Sequence, residues 1–285
     1  MIIIGHQKQW QYLEKLLKKD CLPHAFLFFG QEKLGKKTLA IEFFSKFLGG
    51  NPYSHPDLFL IEPKEGVIQI SQIRELIWKI SLKPYSAPIK VGIIDQAHLM
   101  NKDAQNSFLK TLEEPADNTF LILITPYHEF LFPTIISRCQ ILKFFPVSNK
   151  EIKDYLEKEK VNKDEIETIL KISQGRPGVA IDFLKNRQKI KEREELISQF
   201  KKIINSDLAF RFQCAQKISE FPDVKDILDS WIFYLRESLF SRLQQKDYLF
   251  QKDVERIKKI QEISFLISTT NVNCRLALEN LFLQL

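Results

Sequence analysis

AFLFFGQEKLGKKT, residues 25–38, is the stretch that decides the fold. Ala25–Phe29 is an unbroken apolar run stopped by Gly30, and its length and bulk suit a strand buried on both faces. Beyond the loop, residues 36–48 put Ala40, Phe43, Phe44, Phe47 and Leu48 on one helical stripe. Between them stands Gly30-Gln-Glu-Lys-Leu-Gly35-Lys36-Lys37-Thr38, close to the G-x-x-x-x-G-K-[ST] phosphate-loop pattern. In that strand–loop–helix context backbone amides cradle phosphates, the helix N-terminus adds positive potential and Lys36 reaches the terminal phosphates. One position departs. Lys37 stands where a hydroxyl residue ligates Mg²⁺, and Thr38 lies about 100° further round the helix, a poor substitute. The alternative reading is a Gly-rich strand–helix turn with lysines at its edge.

Outward from this stretch, strand-like and helix-like patterns alternate. Residues 9–19 carry Trp10, Leu13, Leu16 and Leu17 at helical spacing among lysines, and Asp57–Ile61 is a second short strand. Residues 70–81 return to helix through Ile70, Ile73, Leu76, Ile77 and Ile80; Lys90–Asp95 is a third strand. Residues 102–114 predict a helix, Phe120–Thr125 a fourth strand and Gln140–Phe145 a fifth. Strands alternating with helices of this length predict an α/β fold with a parallel five-stranded sheet covered on both faces. After Pro146 the pattern changes. Ser148-Asn-Lys-Glu151 has the form of a capping box, and nearly everything from there to Leu285 reads as helix. A charge-rich segment, NRQKIKEREELISQFKK, follows a linker near 186–190 and mixes Lys/Arg with Glu, the pattern of a solvated helix face.

Four further positions can carry chemistry. Asp95 ends the buried strand VGIID, the usual place of the carboxylate that holds a Mg²⁺ shell, and about 60 residues separate it from the loop. A hydrolase follows that Asp with a Glu that orients water; here Gln96 follows, and an amide takes no proton near neutral pH. Lys37 and Gln96 therefore both fall on the chemistry of hydrolysis. Thr125 ends the fourth strand, where such proteins place a polar sensor of the γ-phosphate. Ser137-Arg138-Cys139 follows a short helical stretch and precedes the fifth strand; its plain alternative is a surface arginine in a turn. Gly175-Arg176-Pro177-Gly178 places Arg176 at a helix N-terminus, or is ordinary capping.

Composition narrows the class. With 285 residues, 44% hydrophobic and 27% charged, the chain has material for two or three domains with real cores, and wholesale disorder is excluded. The 23 Phe predict an aromatic core. A net charge of +6 permits nucleic acid as a partner without demanding it, which disfavours a stand-alone DNA-binding protein. Cys21, Cys139, Cys214 and Cys274 are scattered without metal-ligand spacing, so they read as reduced, mostly buried thiols of a cytoplasmic protein with no metal site. No run is long enough to span a membrane, and no signal peptide is expected.

Several ordered segments together resemble a known family. FLKTLEEPADNTFLILIT with LFPTIISRCQILKFFP is similar to bacterial clamp-loader subunits of the AAA+ class. QISQIRELIWKISLKPYS leading into KVGIIDQAHLMNKDAQNSF, HAFLFFG, HPDL at 55–58 and SQGRPGVA at 173–180 resemble the delta-prime family of the DNA polymerase III holoenzyme in particular. The resemblance covers residues 1–185. It implies a RecA-like AAA+ module (1–146), a small helical lid (147–187) and a C-terminal helical collar (188–285). It implies that Arg138 is an arginine finger reaching a neighbour's ATP site, and that Gly30, Gly35, Lys36, Lys37, Thr38, Asp95, Thr125 and Arg176 form a degenerate nucleotide or phosphate site. The implied partners are the tau/gamma ATPase subunits and a delta subunit in a ring, the sliding clamp, and primed DNA through the complex. Active relatives carry Thr at 37 and Glu at 96, so no intrinsic ATP hydrolysis and no required cofactor are expected. The zinc module of many relatives is missing from FLGGNPYSHPDLF, so no zinc is expected. The competing function is an active AAA+ ATPase subunit or DNA repair motor.

Overall fold

The computed structural model describes residues 3–19, 22–48, 51–64, 66–186, 188–221, 224–244, 250–270 and 272–285. Cys21 lies outside them. The chain divides into two compact units, Met1–Asp182 and Phe183–Leu285.

The first unit is built on a five-stranded sheet: β1 (Ala25–Phe29), β2 (Leu58–Ile61), β3 (Lys90–Ile94), β4 (Thr119–Thr125) and β5 (Gln140–Lys143). The order is β2-β3-β4-β1-β5 and every pairing is parallel. β1 lies between β4 and the edge strand β5, with Phe29 opposite Thr125 of β4 and Lys143 of β5. Both faces are covered, which is why β1 can be apolar throughout. Helices α1 (Gln7–Lys18) and α2 (Lys36–Leu48) bring Leu13, Phe43 and Phe44 onto the face that carries Phe26, Phe28 and Ile124. Helices α3 (Ile70–Ser81) and α4 (Lys102–Glu113) bring Leu76 and Phe108 onto the face with Leu27, Ile94 and Leu123. The first of these faces is the aromatic one, with Phe43 and Phe44 in edge contact at 5.0 Å.

The expected elements are present, with shifted ends. β2 starts at Leu58 because the fully buried Asp57 carboxylate accepts the backbone N–H groups of Tyr85, Ser86 and Ala87 at 2.7, 2.9 and 3.0 Å. That anchors the segment between α3 and β3. β3 stops at Ile94 and leaves Asp95 in the turn beyond it, and β5 stops at Lys143, two residues before the expected end. A four-residue helix, α5 (Pro133–Ile136), leads into Ser137.

The rest of this unit is helical. Ser148 and Glu151 make the capping box of α6 (Asn149–Lys158), which α7 (Lys163–Ser173) and α8 (Pro177–Lys185) follow.

The second unit holds α9 (Gln188–Ile204), α10 (Leu208–Ser219), α11 (Val224–Gln244), α12 (Phe250–Thr269) and α13 (Cys274–Gln284). Its core centres on Trp231, which stacks on Phe200 at 4.8 Å and donates its indole N–H to Leu196 O at 3.1 Å. The Arg211 guanidinium donates to the carbonyls of Ile203, Ile204 and Phe282, tying the end of α9 to the end of α13. Glu192, Glu195, Lys201 and Lys202 of α9 are exposed as expected of a solvated face, and one residue departs from it. Arg193 is buried, its guanidinium 4.7 Å from the Phe233 ring and 5.7 Å from that of Phe183, a cation–π arrangement that lets a charge leave water.

Candidate functional site

The carboxyl ends of β1 to β4 converge on the loop between β1 and α2, the place where open parallel sheets bind ligands. Gly30 opens the loop at φ 152°; a Cβ there would stand 2.4 Å from Phe144 O, so only glycine lets β5 pass this close. Its N–H donates to Thr125 O at 3.2 Å. At the tip, Lys33 has φ 62°, and its carbonyl accepts the Gly178 N–H of α8 at 2.8 Å. A Cβ on Gly178 would meet that same carbonyl at 2.9 Å. Lys33 also pairs with Asp182 at 2.6 Å. From the other side, the His6 Nε2–H donates to Leu34 O at 2.7 Å, and burial lowers the imidazole pKa. The loop is thus pinned by β4, α8 and the segment before α1. Space in front of Gly35 is open: a Cβ there would meet nothing within 4 Å.

The two lysines behave differently. Lys36 is buried, and its Nζ donates to Gly30 O at 2.6 Å and Gln31 O at 2.5 Å, the loop's own carbonyls. Burial lowers its pKa to about 8, against the opposing pull of Glu32 and Asp95. Lys37 leaves the loop and crosses to the neighbouring strand ends. Its Nζ lies 2.6 Å from Glu62 Oε1 and 3.2 Å from Asp95 Oδ2. Burial works against the charged form, but the hydrogen bonds and charges of Glu62 and Asp95 outweigh it and raise the Lys37 pKa. Asp95 spends its other oxygen on the Gln96 N–H at 3.0 Å, while Gln96 itself sits at φ 52° in the turn. Thr38 is half-buried in the first turn of α2.

The remaining expected site residues are spread around this cluster. Thr125 is fully buried, and its hydroxyl donates to Tyr127 O and accepts the Tyr127 N–H, both at 3.0 Å, so it closes its own turn. Arg176 directly precedes α8, with its Nε 3.4 Å from Ser173 O. Arg138 stands on the turn after α5. Its Nη1 donates to Thr134 O at 2.9 Å and its Nη2 to Glu113 Oε1 at 2.8 Å, and the side chain stays 35% exposed. The adjoining Cys139 is buried, which pushes its thiol up to about 12. Among the described residues no group of three or more His, Cys, Asp and Glu side chains gathers as a metal site, and no described helix is long and apolar enough to cross a membrane.

Glu62, His6 and Glu113 were not singled out by the sequence reading. Glu62 had a usable signal: it directly follows β2, and β2 adjoins β3, so in a parallel sheet it falls beside Asp95. Its backbone is steadied by Gln72 of α3, whose side chain donates to Glu62 O at 2.9 Å. His6 and Glu113 had none.

A family model described as DNA polymerase III, delta subunit, matches residues 5–148, the span that contains the sheet, the loop and Arg138. The chain belongs to this family. Among its relatives, the DNA polymerase III subunit delta' of Bacillus subtilis is 37% identical over 162 residues, 51% of this chain and 49% of that protein. The subunit delta' of Pseudomonas aeruginosa is 33% identical over 135 residues, 41% of each chain. A replication factor C small subunit of Methanococcus vannielii is 30% identical over 188 residues, 64% of this chain and 59% of that one. The chain spans about half the length of the curated delta' relatives it matches. The solved DNA polymerase III gamma subunit-related protein of Thermotoga maritima has a TM-score of 0.53, 20% identity and coverage of 95% of this chain and 97% of that one, a likeness of fold. This delta-family chain has an α/β fold with a parallel five-stranded sheet followed by helices, a fold it shares with that protein.

Proposed function

We propose that this chain is a non-hydrolysing delta-prime subunit of a cytoplasmic clamp loader, helping to place the sliding clamp on primed DNA. The observation that carries the reading is the fate of Asp95. In an active phosphate-loop enzyme this carboxylate is followed by a water-orienting Glu and faces a hydroxyl; here Gln96 follows and the Lys37 ammonium faces it. The strand–loop–helix arrangement with Gly30, Gly35 and Lys36 supports descent from a phosphate loop, and Lys37 and Gln96 stand where the groups that turn ATP over would be. The division into a module (1–146), a lid (147–187) and a collar (188–285) belongs to the same proposal, as do tau/gamma and delta subunits as ring neighbours. No cofactor is required.

Arg138 is the residue through which such a subunit would act. Its guanidinium is permanently charged, forked and partly exposed, the form suited to phosphate oxygens of a neighbour's nucleotide. Arginine fingers supplied in trans are worth about 10³–10⁵ in rate where they have been measured. In a ring with other fingers the loss is smaller.

Two measurements test the reading. The isolated chain should show no ATP hydrolysis; robust turnover abolished by Lys36→Ala would favour the active-ATPase reading instead. Arg138→Ala should fold and assemble, since an exposed ion pair contributes no more than about 1 kcal/mol. It should lower ATPase and clamp-loading rates of the reconstituted complex, and Arg138→Lys should rescue poorly. Wild-type rates in Arg138→Ala complexes would return Arg138 to the status of a surface turn residue.

A further inference from the structure

Phosphate-loop folds imply a divalent cation held between the residue after the loop lysine, the carboxylate at the end of the third strand and the phosphates. The side chains here do not fit it. The position that should offer a hydroxyl oxygen offers the Lys37 ammonium, which has donors and no lone pair. That ammonium lies 2.6 Å from Glu62 Oε1 and 3.2 Å from Asp95 Oδ2, so both carboxylates are already turned to a cation. Mg²⁺ demands octahedral oxygen at about 2.0–2.1 Å and gives up its water reluctantly. It would have to displace the ammonium from between two carboxylates.

We propose that Lys37 is a tethered replacement for the divalent cation, clamped by Glu62 and Asp95, and that the site admits no Mg²⁺. This rests on reading residues 30–38 as a degenerate phosphate loop, and it adds Glu62 to the site as the residue that positions Lys37. The clamp sets one ammonium between two carboxylates, and Asp95 also acts on the neighbouring Lys36, so any polyphosphate that approaches the loop meets a fixed cation in place of an exchangeable one. Gln72 holds the backbone of Glu62, and the β2–β3 pairing sets Glu62 beside Asp95, so the clamp is built into the sheet.

The test is ADP binding to the intact chain by titration calorimetry, with Mg²⁺ present or chelated, in wild type and in Lys37→Thr and Lys37→Ser. Both variants restore a hydroxyl, and thermal melts establish which is folded. In wild type, removing Mg²⁺ should change ADP affinity by less than about twofold; where wild type takes up no ADP, the folded hydroxyl variants decide, and they should gain ADP binding that depends on Mg²⁺. In a folded variant Mg²⁺ should tighten ADP by about tenfold or more. Mg²⁺-enhanced binding by wild type overturns the proposal, and so does a folded hydroxyl variant indifferent to Mg²⁺. Because the isolated chain is measured, failure of the ring to assemble leaves this result standing, and the reverse holds too.

Discussion

Asp57 is fully buried and yet charged, and the reason is local: three backbone N–H groups point at its two oxygens. Burial alone would raise its pKa, but those donors outweigh it and hold the carboxyl below its ordinary value. A depressed folded pKa contributes stability above the unfolded value of about 3.9, and that contribution is lost as pH falls through the folded one. Asp57→Asn should therefore cost about 2 kcal/mol or more near neutral pH, and the gap should close in acid. Parallel melting curves from pH 7 down to about 3 check this; a gap that stays constant would mean the charge is irrelevant. Gly30 makes a second residue-scale case. With φ at 152° and Phe144 O where a Cβ would go, Gly30→Ala should destabilise by roughly 2–4 kcal/mol, read as a lowered denaturation midpoint at an unchanged slope.

At the scale of elements, Arg211 does the work of a cap for two helices. The last carbonyls of a helix have no partner within it, and one guanidinium takes up three of them from α9 and α13. Arg211→Met keeps the aliphatic bulk and takes this donor from the Ile204 and Phe282 carbonyls, while Ile203 O keeps Ser206, so a loss of about 1–3 kcal/mol is expected in denaturant unfolding; an unchanged midpoint would show that water serves the carbonyls equally well. Element positions were legible in the sequence because period and punctuation agree. β1, α2 and α3 are bounded by Gly30, the loop and the polar residues around them, and they begin and end where the pattern said. Strand ends were less legible, since Asp57 and Asp95 belong to their strands by pattern but spend their side chains on neighbouring turns and charges. The loop was readable as a motif; the Lys37–Glu62 clamp was not, because 25 residues separate the partners and only the parallel sheet brings them together. Arg193 misled for a related reason: a charge run reads as solvated, and nothing local announces two phenyl rings waiting for one member of it.

For the whole molecule, two units with separate cores predict that residues 183–285 expressed alone will melt cooperatively as a helical domain. A broad, non-cooperative melt of that fragment would contradict an independent core. Cys139 offers a way to watch the other unit. Its thiol is buried beside Arg138 and ionises only near pH 12, whereas Cys214 and Cys274 are half-buried in the second unit. An alkylating reagent can reach Cys139 only when the packing around it opens, so labelling slows by the opening equilibrium, about a thousandfold or more for a stable domain. With Cys21 replaced by Ser, mass spectrometry during iodoacetamide treatment should find Cys139 modified last by a wide margin; equal rates at all three would refute this. Each molecule carrying that modification is one whose Arg138 turn has come apart, so the sulfur next to the arginine keeps a clock of how often the turn lets go.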